Sequence, residues 1–309
     1  MTDNLLRAAL AQYDFRAPQA TLLRHNENET YCVTDGGKKY VLRIHRPAAG
    51  FSLGTFGVDS HSKEMLESEM QILEALSESD IPVQRPVRNR SGAHVTLSED
   101  APVTVLEWLE GPTLDDFEPD ESDCLAAGAM AARMHRFFRA HPQLNALPRY
   151  RYDHELIDRL SDRLSQGQTE DVQIRIMLDA LAAIREHTLK MQEKEGGFGL
   201  IHADLSRGNL VRTARGIAPI DFCLCGYGSR HMDLGSLVSN FKPHLTASLL
   251  KGYSDESGET VTEKDAAPFL AQQVLLFIAA HLRESAVWDW YPKAMDRWCK
   301  TLFLPLING

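Results

Sequence analysis

Short apolar runs separated by polar turns dominate the first third of the chain, a pattern typical of β-strands. Two such runs, 31–33 and 40–44, flank a polar segment in which Asp-Gly-Gly supplies the backbone conformations that a tight turn requires. The pattern therefore predicts a β-hairpin. Further strands are expected over 83–87, 95–97 and 103–106.

One prominent helix interrupts this β-rich region. Apolar residues recur at helical spacing over 62–78 and predict an amphipathic helix, and a shorter helix is expected over 3–12. Segment 47–61 contains a proline and three glycines, so it is predicted to be a loop.

The pattern changes after residues 107–112, whose sequence is Glu-Trp-Leu-Glu-Gly-Pro. Long helices are expected over 122–140, 153–166 and 170–194, and the last two are predicted to be amphipathic. Small residues along one side of the first of these helices predict close packing against another helix. A strand-rich segment at 199–222 precedes further helices.

These elements predict an α+β protein with two lobes. Residues 1–107 are expected to form a β-rich N-terminal lobe with one helix, and residues 108–309 a mostly helical C-terminal lobe. The hinge is placed at about 107–112. The length of 309 residues and the 43% hydrophobic content are sufficient for a core in each lobe.

Net charge excludes some partners. The chain carries a formal charge of −10, which argues against nonspecific nucleic-acid binding because that binding needs Lys and Arg to displace counterions. An acidic surface is compatible with a cationic substrate, although acidity also serves solubility alone.

Cysteine usage and hydropathy predict a cytoplasmic protein. The five cysteines are odd in number and irregularly spaced, which favours reduced thiols over a zinc ribbon or a disulfide framework. The N-terminus lacks the basic start and apolar run of a signal peptide. The most apolar stretch, 269–282, is too short to span a membrane and is expected to form a buried helix.

Candidate chemistry is concentrated near residue 204. An apolar pair leads into His202, and Asp204 follows two residues later. A loop then returns to Asn209, and Asp221 ends the next predicted strand. A β-hairpin here would bring Asp204, Asn209 and Asp221 to one edge. Carboxylate and amide oxygens are the ligands that Mg²⁺ prefers, with phosphate and water completing its shell.

These residues resemble the His-x-Asp-x-x-x-x-Asn motif of the aminoglycoside phosphotransferase and choline kinase family, whose fold is similar to that of protein kinases. The resemblance implies that Asp204 is the catalytic base and that Asn209 and Asp221 hold Mg²⁺. It also implies that His202 and Asp233, which stands in an Asp-Leu landmark of the family, orient the catalytic loop. ATP is the implied phosphate donor, with GTP left open.

The resemblance extends to the N-terminal lobe. Asn28 stands in the nucleotide loop, which lacks glycines here. Arg43 takes the place of the Lys that pairs with phosphates, and Arg forks onto oxygens in a geometry that Lys does not share. The helix Glu that pairs with this cation matches Glu69 best. Three other carboxylates on the same predicted helix remain alternatives: Glu64, Glu67 and Glu74.

The sequence signals for the nucleotide-base site and the acceptor site are weaker than the signal for the catalytic loop. The resemblance implies that backbone groups of Glu107 and Leu109 bind the purine at the hinge. A small acceptor that carries an amine, such as an aminoglycoside-, homoserine- or choline-like molecule, is expected between the catalytic loop and the C-terminal helices. Four residues are candidates for it through charge and cation–π contacts: Asp153, Glu155, Trp288 and Trp290. A packing or solvated role is the favoured alternative for each of these residues.

Two other functions remain open. A bacterial Ser/Thr protein kinase would share the fold, but the eleven residues between Asp221 and Asp233 are too few for a long peptide-docking loop. A nucleotide-binding pseudokinase sensor is suggested by Arg43 and the glycine-poor loop, while the intact Asp204, Asn209 and Asp221 argue against it. No nucleic acid or membrane partner is expected, and the sequence sets no oligomeric state.

Overall fold

A computed structural model describes residues 2–25, 28–46, 54–56, 62–166, 171–281 and 288–309. The chain forms two compact units. Unit 1 comprises Met1–Ser52 and Asp59–Gly111, and unit 2 comprises Leu53–Val58 and Pro112–Gly309. The loop predicted at 47–61 lies outside the described residues except for a 3₁₀ turn, Gly54–Phe56.

In its described residues, unit 1 is a five-stranded antiparallel sheet with two helices. Its elements are α1 (Thr2–Leu10), β1 (Gln19–His25), β2 (Glu29–Asp35), β3 (Lys38–Ile44), α2 (Lys63–Ser77), β4 (Val95–Ser98) and β5 (Ala101–Glu107). The strand order is β1-β2-β3-β5-β4. The predicted hairpin is confirmed as β2–β3, with Asp35 opposite Lys38. Its turn residues Gly36 and Gly37 both have positive φ, which explains the Asp-Gly-Gly sequence.

Two strand predictions in unit 1 need correction. The strand expected over 83–87 is only an isolated bridge between Pro86 and Leu106, because proline has no N–H to donate to a ladder. Strand β1 was not predicted. Nearly all its side chains are exposed, so it lacks the apolar alternation that marks a half-buried strand.

Unit 2 is mostly helical. Its helices are α3 (Glu121–Ala140), α4 (His154–Ser165), α5 (Val172–Glu193), α6 (Arg230–Asn240), α7 (Thr246–Ser257), α8 (Glu263–Ala280), α9 (Tyr291–Trp298) and α10 (Leu304–Asn308). Its strands are β6 (Tyr150–Arg151), β7 (Phe198–Ile201), β8 (Leu210–Thr213), β9 (Gly216–Pro219) and β10 (Gly226–Ser229). Three strands form a sheet in the order β6-β10-β7, and β8 pairs with β9 as a separate hairpin.

Helices α3 and α7 pack closely, as the small residues of α3 predicted. A Cβ added to Gly128 on α3 would overlap the carbonyl oxygen of Leu249, and one added to Gly252 on α7 would overlap that of Leu125. This contact fixes α3, which carries His135 toward the loop after β7. The α+β architecture, with a β-rich first unit and a mostly helical second unit, confirms the predicted fold class.

No helix in the described part of the chain has the length and apolar character needed to cross a membrane. The stretch expected to form a buried helix lies in α8, whose buried residues include Phe269, Leu275 and Ile278. All five cysteines lie in described segments and carry free thiols.

Candidate active site

The loop after β7 is held in a tight turn by the carboxylate of Asp233. The backbone N–H of His202 donates to Asp233 Oδ2 at 2.9 Å, and that of Ala203 donates to Oδ1 at 2.7 Å. Ala203 adopts a left-handed conformation with φ of 68°, which costs a non-glycine residue about 1–3 kcal/mol. Asp233 is fully buried. The two N–H groups therefore fix the turn that leads into Asp204.

Asp233 is supported in turn by two residues that the sequence did not indicate. His135 Nε2 lies 2.8 Å from Asp233 Oδ2, and His135 Nδ1 lies 3.0 Å from the hydroxyl of Tyr253. A carboxylate only accepts hydrogen bonds, so the Nε2 atom carries the proton. Burial raises the pKa of Tyr253 to about 12, so its hydroxyl stays protonated and donates to Nδ1. No local motif marks His135, which is 98 residues from its partner in sequence.

His202 links the catalytic loop to the strand that precedes Asp221. Its Nε2 atom lies 3.0 Å from the carbonyl oxygen of Ile220, and its Nδ1 atom accepts the backbone N–H of Asp204 at 3.3 Å. The ring meets Phe222 edge-on, with centroids 4.5 Å apart. His202 is fully buried and acts as a spacer between the two chain segments.

Asn209 and Asp204 contact each other directly. Asn209 Nδ2 donates to the Asp204 carboxylate Oδ2 at 2.7 Å and to the Asp204 backbone carbonyl at 3.1 Å. These bonds orient the amide so that its nitrogen serves Asp204 and its oxygen is the atom suited to a cation. The backbone N–H of Ile220 donates to the Asn209 carbonyl at 2.9 Å, which ties Asn209 to the end of β9.

Asp221 follows β9 in a left-handed conformation, with φ of 64° and ψ of 68°. The hairpin β8–β9 pairs Leu210 with Pro219, so the residues after Asn209 lie beside the residues before Asp221. The structure thus brings Asp204, Asn209 and the chain around Asp221 together at one end of this hairpin, as the sequence predicted.

The donor set at this end of the hairpin fits Mg²⁺. Asn209 and Asp221 offer an amide oxygen and a carboxylate, both hard oxygen ligands. Within the described ranges, no three His, Cys, Asp or Glu side chains form a metal cluster. Mg²⁺ usually takes one or two protein ligands and completes its shell with phosphate and water.

In unit 1, Arg43 on β3 forms an ion pair with Glu69 on α2. Arg43 Nη2 lies 2.7 Å from Glu69 Oε1, and both side chains are almost completely buried. Of the four glutamates considered for this role, the structure places Glu69 against Arg43. Glu74 instead pairs with Arg88 near the surface.

The segment that contains Asn28 is organised by a buried carboxylate. Asn28 is 3% exposed, and its neighbour Glu29 accepts hydrogen bonds from the Tyr31 hydroxyl at 2.8 Å and from Arg46 Nε at 2.9 Å. Burial raises the pKa of Glu29, but the hydrogen bonds from Arg46 and Tyr31 and the charge of Arg46 more than offset this and hold the pKa below its ordinary value. This pair joins the start of β2 to the end of β3.

The backbone groups of Glu107, at the end of β5, already form hydrogen bonds within unit 1. The Glu107 N–H donates to the Arg85 carbonyl at 2.8 Å, and the Glu107 carbonyl accepts from Gln84 Nε2 at 3.3 Å. A carbonyl oxygen has a second lone pair, so Glu107 can still accept one hydrogen bond. Leu109 lies two residues beyond, after the strand has ended.

The residues expected to bind the acceptor fall in two places. Asp153 precedes α4 and is buried, with Oδ2 2.9 Å from Arg151 Nε, while Glu155 is exposed in the first turn of α4. Trp288 and Trp290 stack with centroids 5.3 Å apart before α9. Trp290 is 48% exposed, so one face of this aromatic pair is open to solvent.

Comparison with known proteins places these features in context. Residues 19–270 match the model of the family described as the phosphotransferase enzyme family. The amicoumacin kinase of Bacillus subtilis (strain 168) is 24% identical over 275 residues, which cover 82% of this chain and 77% of that protein. The homoserine kinase of Caulobacter vibrioides (strain NA1000 / CB15N) is 24% identical over 292 residues, covering 88% and 84%.

Solved structures show the same fold. The microcompartment-associated aminopropanol kinase superposes with a TM-score of 0.73 at 24% identity, covering 98% of this chain and 99% of that one. An amicoumacin kinase in complex with AMP-PNP, Ca²⁺ and Ami gives a TM-score of 0.72 at 21% identity, covering 97% and 92%. These likenesses confirm the kinase-like fold that the sequence predicted.

Proposed function

Because this chain belongs to the phosphotransferase enzyme family, we propose that it transfers the γ-phosphate of ATP to a hydroxyl group of a small, amine-bearing molecule, using Mg²⁺. The observation that carries this proposal is the contact between Asn209 and Asp204, at the hairpin end from which Asp221 emerges. Phosphoryl transfer requires a carboxylate for the attacking hydroxyl beside ligands for a metal.

Asp204 is assigned to the acceptor hydroxyl. Its carboxylate orients the attacking oxygen and takes its proton as the new oxygen–phosphorus bond forms and the bond between the γ-phosphorus and the ADP oxygen breaks, releasing ADP. The hydrogen bond from Asn209 holds this carboxylate in one direction. The turn at Ala203, fixed by Asp233, determines where the carboxylate stands relative to β7.

Asn209 and Asp221 are assigned to the metal. When bound, Mg²⁺ neutralises negative charge on the phosphate oxygens. The Asn209 amide is oriented for this task because Asp204 engages its nitrogen. His202 keeps the two ligand-bearing segments in register through its contact with the Ile220 carbonyl.

Unit 1 is assigned to the nucleotide. Arg43, aligned by Glu69, binds phosphate oxygens, and a guanidinium can do so with two parallel hydrogen bonds. Asn28 lies in the loop assigned to the phosphates. The carbonyl of Glu107 and the N–H of Leu109 are assigned to the purine edge, and backbone recognition of this kind leaves GTP as an alternative donor.

The acceptor class is proposed from two supports. Two similar proteins are named for amino alcohols, homoserine and aminopropanol. The chain also has a net charge of −10 and a stacked pair of Trp288 and Trp290, of which Trp290 is exposed; both features suit a cationic amine. Among the carboxylates, exposed Glu155 fits this role better than Asp153, which already pairs with Arg151.

A Ser/Thr protein kinase is the second candidate, and the structure favours the small acceptor. Between Asp221 and Asp233 the chain forms the 3₁₀ turn Phe222–Leu224, strand β10 and the start of α6, so little chain is left for docking a peptide. A sensor without catalysis would not need the hydrogen bond between Asp204 and Asn209.

The free thiols of all five cysteines support a cytoplasmic location.

An acceptor screen that reports ADP release tests the proposal. Purified protein is supplied with ATP, Mg²⁺ and a panel of amino alcohols, aminoglycosides and a generic protein substrate. At least one small amine-bearing alcohol should stimulate ADP release, and Asp204→Asn should lower that rate by about a hundredfold or more. Asp255→Asn, on the surface of α7, is the matched control with unchanged turnover. Nucleotide binding without stimulation by any acceptor would favour the sensor.

A further inference from the structure

Arg149 holds the segment that follows Asp221 through three backbone carbonyls. Its Nε atom donates to the Cys225 carbonyl at 2.7 Å, and its Nη2 atom donates to the carbonyls of Phe222 at 2.8 Å and Cys223 at 2.7 Å. We refer to Arg149 and these three carbonyls as the carbonyl clamp. The residues it joins are more than 70 positions apart in sequence.

A second set of contacts extends the attachment. The Tyr152 hydroxyl donates to the Leu224 carbonyl at 2.6 Å, and the Tyr152 backbone N–H donates to the Tyr227 carbonyl at 2.8 Å. Strand β6 pairs in parallel with β10, with Tyr150 opposite Gly226. Residues 149–152 therefore cover the chain from Phe222 to Tyr227 as a continuous support.

The supported segment begins directly at the proposed metal ligand. Asp221 is in a left-handed conformation and directly precedes the 3₁₀ turn Phe222–Leu224, so the direction of its carboxylate depends on how that turn is held. Backbone in this conformation persists only where the surroundings fix it. Before Asp221, the backbone of Ile220 is hydrogen-bonded to the His202 ring and to the Asn209 carbonyl. After Asp221, the carbonyl clamp restrains the backbone.

Only an arginine supplies this arrangement. Three carbonyls that converge on one group need several donors in one plane and a positive charge, and a guanidinium provides both. A lysine ammonium would keep the charge but has no planar fork to reach Cys225 on one side and Phe222 and Cys223 on the other. The contacts of Arg149 therefore depend on the planar geometry of its guanidinium as well as on its charge.

We propose that Arg149 is a positioning residue for the metal site: the carbonyl clamp fixes the chain after Asp221 so that the Asp221 carboxylate stays directed at Mg²⁺. This inference rests on the proposed function, because it takes Asp221 as a metal ligand. In this role Arg149 acts through the backbone carbonyls of residues 222, 223 and 225. Groups that support a metal ligand typically change metal affinity about 10- to 100-fold when lost.

The first measurement reports the clamp without any activity. Cys223 and Cys225 are buried within the clamped segment, at 4% and 0% exposure. Their reaction with a thiol reagent, mapped by peptide mass spectrometry, should be about tenfold faster in Arg149→Ala than in the wild type. The buried thiols of Cys124 and Cys299 serve as internal references for general unfolding. They should react at the wild-type rate.

The second measurement reports the metal. The Mg²⁺ concentration that gives half-maximal binding of AMP-PNP should rise about tenfold or more in Arg149→Ala and in Arg149→Lys. Added guanidinium ion should restore part of the Mg²⁺ affinity to Arg149→Ala. The matched control is Arg185→Ala. Arg185 lies at the surface, where it pairs with Asp158, and its replacement should leave both measurements at wild-type values.

The outcomes separate the two claims. Unchanged labelling of Cys223 and Cys225 in a folded Arg149→Ala protein would overturn the clamp. Faster labelling with unchanged Mg²⁺ dependence would show that the clamp holds the segment but does not position the metal ligand, which also overturns the proposal. If the wild type itself binds AMP-PNP with no dependence on Mg²⁺, the proposed function fails first, and the positioning role fails with it.

Discussion

Asp233 and Ala203 are joined by a 2.7 Å hydrogen bond from the Ala203 amide to the Asp233 carboxylate, across 30 positions of sequence. Ala203 has a φ of 68°, a conformation that alanine rarely adopts. The carboxylate on α6 therefore holds a strained turn in the loop after β7. The catalytic geometry assigned to Asp204 depends on that buried contact as much as on Asp204 itself.

Replacing Asp233 by asparagine should impair both folding and turnover. Asn retains the shape, but its amide nitrogen would face a donor in either orientation, either Ala203 N–H or the His135 Nε2–H. We expect Asp233→Asn to lower the free energy of unfolding by about 2–4 kcal/mol, since buried donors lose a charged acceptor. The displaced loop should lower kcat by about a hundredfold. Urea unfolding and steady-state kinetics measure the two effects.

Asp265→Asn is the matched control for this variant. Asp265 accepts from the Thr262 backbone N–H and hydroxyl in the capping box at the start of α8, far from the loop in sequence. Its replacement should cost about 1 kcal/mol of stability and leave kcat unchanged. If Asp233→Asn behaved like Asp265→Asn, the positioning role of Asp233 would be wrong.

Glu69→Gln should weaken nucleotide binding selectively. Glutamine keeps the size of Glu69 but removes the charge that aligns Arg43, whose guanidinium is proposed to bind phosphate. The nucleotide KM should rise about tenfold, while the acceptor KM stays near the wild-type value. Steady-state kinetics with each substrate varied in turn provide the measurement.

Glu74→Gln tests whether any charge on α2 has the same effect. Glu74 pairs with Arg88 and is about half exposed, so its replacement should change neither KM. Equal nucleotide KM values for Glu69→Gln and the wild type would show that the buried pair has only a structural role.

His231 should make stability depend on mildly acidic pH. Burial lowers its pKa from 6.5 to about 4, and the nearby charge of Arg230 adds to the shift. Between these values the unfolded chain binds a proton that the folded chain does not bind, so stability rises with pH across this window. The contribution is fully present above pH 6.5 and is lost as the pH falls toward 4. At about pH 5 the loss should be about 2 kcal/mol.

Urea unfolding at about pH 7 and pH 5 measures this loss. Replacing His231 by leucine should flatten the difference between the two pH values by about 2 kcal/mol, whatever its effect on absolute stability. Replacing the exposed His244 by leucine should leave the difference as in the wild type. An unaltered pH dependence in the His231 variant would place the titrating group elsewhere.

Local pattern predicted much of this protein. Helical periodicity located α2, α3, α4 and α5 to within about two residues at each end, and the Asp-Gly-Gly turn located the hairpin β2–β3. The spacing from His202 to Asn209, followed by Asp221, predicted that Asp204 and Asn209 would lie near the chain around Asp221. These successes depend on interactions between residues that are close in sequence.

Contacts between distant segments were not predictable in the same way. Periodicity placed four glutamates on α2, but only the packing of α2 against β3 selects Glu69 for Arg43. His135 is hydrogen-bonded to Asp233, which is 98 residues away, and Arg149 to carbonyls that are more than 70 residues away. No local sequence pattern identifies either residue. Hydrophobic periodicity predicts a single helix or strand. The contacts of these residues depend instead on how several elements pack together.

The most direct test is calorimetric binding of AMP-PNP with and without Mg²⁺, comparing the wild type with Asp221→Ala and the surface variant Asp255→Ala. The wild type and Asp255→Ala should bind the nucleotide at least about tenfold more tightly with Mg²⁺. Asp221→Ala should lose that enhancement. Equal enhancement in Asp221→Ala and the wild type, or no enhancement in any of the three proteins, would contradict a metal site built on Asn209 and Asp221.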